Sequence, residues 1–137
     1  NELVAEGLLQ GIIATPTIVT LDGTDVRADI RAWVDGFVDL TRDPHAVALI
    51  RAAGAAAAEN REIARGFQES VKTTARRSLA ERMTRAEAEG QLRPGTPAET
   101  VAEILVGSLI YRLTTHEEIT IDFVDDLIRT VFEGITP

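Results

Sequence analysis

From Asn1 to about Ala14, Leu3, Val4, Leu8, Leu9, Ile12 and Ile13 recur at spacings of three and four, the stripe of an amphipathic helix, and Thr15-Pro16 ends it. The segment Thr15 to Asp25 mixes β-branched residues with an Asp22-Gly23 turn signal and reads as a long ordered loop. A lone strand has no partner, so the pattern predicts an all-α domain. Thr24 or Asp25 caps a second helix to about Thr41 that turns Ile30, Trp33, Val34, Phe37, Val38 and Leu40 inward. Asp43 as cap and Pro44 at the first helical position open a third, to about Ala57, anchored by Val47, Leu49 and Ile50. Glu59-Asn60 is the best corner after it.

The longest helix predicted runs from Arg61 to Glu89, roughly 43 Å at 1.5 Å per residue, with Gly90 as its left-handed terminator. Ile63, Phe67, Val71, Ala75, Leu79, Met83 and Ala86 form its inner stripe. Its many charges, Arg76, Arg77, Arg82 and Arg85 among them, read as a solvated outer face laced with pairs one turn apart. After the Gly90 to Gly95 turn, Thr96, Pro97 and Glu99 carry the signature of a capping box, with Thr96 as cap and Pro97 at the first position. That helix extends to about Thr114, and a last one from about Ile121 to Gly134, six in all.

Those last two helices have more apolar surface than one core requires. Val101, Ala102, Ile104, Leu105, Val106, Leu109, Ile110, Tyr111 and Leu113 cover most of a helix circumference, whereas a surface helix buries a stripe about 100° wide. The final helix sets Phe123, Val124, Leu127, Ile128, Val131, Phe132 and Ile135 opposite Asp122, Asp125, Asp126, Arg129 and Glu133. Either the long central helix covers the extra face or a second subunit does; the expectation is the latter, an isologous four-helix dimer interface, with Leu105, Leu109, Arg112, Val124, Leu127, Ile128, Val131 and Phe132 as its candidates.

Composition narrows the function. The chain has 137 residues, one domain's worth, with 14 Lys and Arg against 22 Asp and Glu, a net charge of −8. That balance disfavours a phosphate-binding groove. The acids concentrate at the two ends, eight against four bases in residues 1–58 and eight against two in residues 95–137. With no cysteine there is no disulfide framework or thiolate metal site, which suits a reducing cytoplasm. No apolar run reaches the ~18 residues that would cross a bilayer. The histidines, His45 and His116, fit neither a zinc-protease nor a di-iron spacing and supply no triad base, so neither catalysis, metal nor cofactor is expected. What remains is an apolar interhelical pocket, with Trp33, Phe37, Phe67, Val71, Ser108 and Tyr111 as candidate lining.

Four segments are similar to one known family. Ala86-Glu87-Ala88-Glu89-Gly90-Gln91-Leu92-Arg93-Pro94 resembles the close of the seventh helix of TetR-family transcriptional regulators, with its Gly-x-Leu-Arg-Pro turn. Gly107 to Leu113 resembles the eighth-helix motif of a common subgroup, Ile121 to Leu127 its ninth-helix opening, and Gly23 to Ile30 its approach to the fifth helix. The resemblance implies a TetR C-terminal-like bundle over residues 1–137, binding an effector and dimerising through its last two helices. Asn1-Glu2-Leu3-Val4 resembles the start of the helix that follows the family's N-terminal helix-turn-helix domain, which would then be absent from this chain. The implied protein is a cytoplasmic, ligand-responsive regulator, in the repressor mode, touching operator DNA only through that domain and responding to an apolar small molecule. The alternative from the residues alone is a helical protein-interaction or scaffold domain without a small-molecule site.

Overall fold

The computed structural model describes residues 21–71 and 75–137, and among them it contains six helices and no strand. These are α1 (Val26–Leu40), α2 (Pro44–Glu59), α3 (Arg61–Val71), α4 (Arg77–Ala88), α5 (Ala98–Thr114) and α6 (Ile121–Ile135). The helix expected over Asn1 to Ala14 and most of the following loop lie outside the described residues.

Local chemistry sets most of the boundaries. Asp25, in extended backbone, accepts from the N–H groups of Arg27 and Ala28, so Asp25 rather than Thr24 is the cap of α1. Asp43 accepts from His45 N at 2.9 Å with Pro44 in the first turn, as expected for α2. The corner falls at Asn60, whose carbonyl oxygen Oδ1 accepts from Glu62 N and Ile63 N and so opens α3. At the end of α4, Gly90 takes φ +78°, Gly90 N donates to Glu87 O and Gln91 N to Ala86 O. This is a Schellman closure.

The pattern is departed from at two points. Of the single long helix expected over Arg61 to Glu89, the described residues give Arg61–Val71 and Arg77–Ala88, with π-helical backbone at Ala75 and Arg76 ahead of α4, and residues 72–74 lie outside the described residues. A stripe stepping four residues at a time drifts by about 40° per step on a helix of 3.6 residues per turn. A wider π turn takes up that drift and keeps Leu79, Met83 and Ala86 pointed inward, all three fully buried. The capping box at Thr96 does not form either. The helix starts one residue later, with Pro97 in the cap position and no side-chain cap bond, because the Thr96 hydroxyl donates instead to Arg93 O within the preceding turn.

In space α1 packs against α4 and α6, while α5 packs against α4 and α2, which in turn packs on α3. One contiguous core joins Ile30, Trp33, Val34, Leu79, Met83, Leu92, Leu105, Leu109 and Phe132, each at most 2% exposed. Burying a side chain of this size stabilises by about 1.5–3 kcal/mol. An ion pair from Arg31 to Asp125 ties α1 to α6 across the edge of this core. The Asp125 hydrogen bond raises the Arg31 pKa above its already high ordinary value, so the guanidinium end of this tie stays charged.

Candidate functional site

Within the core, Trp33 and Phe37 lie one turn apart on α1 and stack with ring centroids 5.9 Å apart at 25°. Trp33 is 2% exposed, and its Nε1 has no hydrogen-bond acceptor among the described residues. A buried donor left unpaired costs about 1–3 kcal/mol, so an apolar core rarely keeps one without use. The backbones of Phe67 and Val71 lie on α3, and their side chains fall outside the described residues. Ser108 is half-buried and turns its hydroxyl onto Leu105 O at 3.1 Å. Tyr111 is 61% exposed, its ring on the outer side of α5, away from Leu105 and Leu109. Trp33 and Phe37 are therefore brought together, whereas Ser108 and Tyr111 stand on another face of the bundle.

The interface candidates divide in the same way. Leu105, Leu109, Val124, Ile128 and Phe132 are consumed by the chain's own core, at 3% exposure or less. Arg112 spans the α5–α6 connection: its guanidinium carbon sits 3.6 Å above the Phe123 ring centroid and its Nη1 donates to Glu118 O at 2.9 Å. Leu127 and Val131 remain half-buried, in line with Phe123 and Ile135 along α6. On α5, Ile104 at 49% exposure, Gly107, Ser108 and Tyr111 form an outward stripe at helical spacing. Helical geometry explains the division: α5 is apolar on both sides, and one chain has interior enough for only one of them.

A second cluster joins α1 to α4. Arg82 is the one charged residue fully buried among those described, and its Nε donates to Asp29 Oδ2 at 2.7 Å. Arg82 Nη2 and Arg85 Nη2 both donate to Gly23 O, at 3.3 and 2.7 Å. From the α4 turn, Gln91 accepts from Val26 N and donates to Thr24 O, both at 2.8 Å, which supplies a partner to an otherwise orphaned N–H in the first turn of α1. The expectation that these arginines lie on a solvated face is corrected here for Arg82. Its position was legible: three residues after Leu79 and four before Ala86, it falls within the inner stripe.

The surface carries a cavity of about 570 Å³ where the end of α1 and one face of α2 meet the α5–α6 connection. Val38, Val47, Leu113 and Ile119 supply its apolar wall and Arg51 its cation. Of the pocket candidates whose side chains are described, Trp33, Phe37, Ser108 and Tyr111, none lines this cavity or the two smaller or shallower grooves beside Arg82 and Arg31. Among the described residues no three His, Asp or Glu side chains gather as metal ligands would, and no helix is long and apolar enough to cross a membrane.

The crystal structure of the TetR family transcription regulator SCO0332 matches this fold with a TM-score of 0.73 at 26% sequence identity, over 85% of this chain and 64% of that one. The fold is thus that of a domain of TetR-type transcription regulators, a class that is not enzymatic. The sequence matches the tetracyclin repressor-like C-terminal domain over residues 20–131, and the chain belongs to that family. It spans less than two thirds of the length of the SCO0332 chain. No curated protein matches it.

Proposed function

We propose that this chain is the effector-binding and dimerisation domain of a ligand-responsive repressor that works in the cytoplasm and meets operator DNA through a helix-turn-helix domain N-terminal to it. The observation that carries the effector role is the unpaired indole N–H of Trp33 inside an otherwise apolar core. A small apolar molecule with one acceptor would relieve that donor beside the Phe37 ring, and Phe67 and Val71 stay candidates from the sequence alone. The net charge of −8 favours placing phosphate contact in another domain. Dimerisation is supported by the outward stripe of Ile104, Gly107, Ser108 and Tyr111 on α5 and by the half-buried Leu127 and Val131 on α6. Effector binding loosens DNA only as far as its affinity differs between the two arrangements of the paired domains.

The test uses the full-length regulator on its operator. Effectors are found by thermal shift, since a molecule that binds only the folded state raises apparent stability. Trp33→Phe or Phe67→Ala is then expected to shift the effector concentration for half-maximal release of labelled DNA. Release that matches wild type in both variants would reject the pocket assignment.

A further inference from the structure

The cavity beside Arg51 lies apart from Trp33 and from the outward stripe of α5 and α6, and it has the components of a binding site. Arg51 is half-buried, and its Nε donates to Leu113 O at 2.6 Å, which fixes the guanidinium plane against the cavity wall. Yet among the described residues no carboxylate stands within ion-pair distance of it. With Nε held by Leu113 O, the Nη1–Nη2 edge of the guanidinium has no carboxylate partner among the described residues, and that edge is the donor geometry that a carboxylate accepts. Next to it Val38, Val47, Leu113 and Ile119 form an apolar wall, and at the mouth Ile121 is 73% exposed, a large apolar side chain left in water. The wall is rigid because the α5 end is closed by Glu117 N donating to Arg112 O at 2.9 Å with His116 in left-handed backbone, and Thr120 caps α6 through Phe123 N.

We infer that this cavity binds an amphipathic monocarboxylate, its carboxylate on Arg51 and its apolar chain along Val38, Val47 and Ile119 toward Ile121. The rim sets the charge limit. Glu117, Glu118 and Asp122 outnumber Arg42 and Arg51, so a dicarboxylate or phosphate meets repulsion at the mouth, while a single carboxylate reaches the one cation without an acid beside it. This assignment is independent of the effector pocket at Trp33.

The probe is octanoate, with octanamide as its uncharged counterpart, titrated into the ¹⁵N-labelled protein. Octanoate is expected to bind below about 1 mM, with amide shifts concentrated in residues 38–42, 47–51 and 113–122. Arg51→Gln should weaken octanoate by about tenfold and leave octanamide within about twofold, the difference a charge-assisted bond makes. Glu118→Lys, on an exposed position, should tighten octanoate a few fold without touching the fold. Shifts centred on Trp33 and Phe37, no binding at about 10 mM, or equal loss of both probes in Arg51→Gln would each overturn the site. Should Arg51→Gln unfold, unchanged octanoate affinity in Glu118→Lys overturns it alone.

Discussion

Arg82 and Asp29, fifty-three positions apart, meet through a hydrogen bond of 2.7 Å with side chains only 1% and 13% exposed. This pair, rather than any run of surface charges, holds the start of α1 to α4. Its arginine is incompletely satisfied, since Nη1 has no partner among the described residues. Removing only the carboxylate strands a buried cation, so Asp29→Ala should lower unfolding free energy by about 3 kcal/mol. Replacing both partners, Arg82→Met with Asp29→Ala, should recover most of that loss, read from urea denaturation at constant slope. A double variant as unstable as the single one would show that the pair contributes through packing instead.

Gly23 is the reason Asp29 fits where it does. A Cβ there would collide with Asp29 Oδ1, and the three nearest atoms all belong to Asp29. Gly23→Ala should therefore cost about 1–2 kcal/mol in the wild type by pushing the carboxylate off Arg82. In the Asp29→Ala background the same change should cost under about 0.5 kcal/mol, a coupling that a double-mutant cycle measures directly.

His116 occupies φ +61° at the end of α5, where Glu117 N donates to Arg112 O as in a Schellman closure. The same closure at Gly90 uses glycine. A side chain with a Cβ costs about 1–2 kcal/mol in this region, partly offset by the greater freedom that glycine has in the unfolded chain. His116→Gly should gain about 0.5 kcal/mol and raise the melting temperature by a few degrees. A loss of stability would contradict the left-handed backbone.

Core and outer face on α6 separate by mutation. Leu127 is half-buried in this chain and Ile128 is 3% exposed. Under the proposed dimer, Leu127→Glu should halve the mass seen by light scattering while circular dichroism stays helical. Ile128→Ala should lower stability by about 2–5 kcal/mol through its cavity. A dimer that survives Leu127→Glu would remove this stripe from the interface.

The cap residues Asp25 and Asp43, the corner at Asn60 and the glycine terminator at Gly90 act through bonds spanning two to five residues, and they were legible in the sequence for that reason. So was the all-α class, from apolar spacing alone. Thr96 misled because a hydroxyl has more than one neighbour within reach, and the tighter bond to Arg93 O won. In the candidate site, the aromatic pair on α1 was visible as two residues one turn apart. That Trp33 lacks an acceptor was not, since it depends on what every other element presents to that point.

Sequence alone determined which segments become helices, because propensity, caps and periodicity are local, and it showed that α5 and α6 carry more apolar surface than one core uses. Only the tertiary structure decided which side of α5 faces inward, placing Leu105 and Leu109 in the core and Ile104 and Tyr111 in water. It likewise paired Arg82 with Asp29 and set Arg51 on the Leu113 carbonyl, with no carboxylate beside it among the described residues. Periodicity states that a face is apolar but not what covers it, and a charge's partner is set by packing among segments distant along the chain.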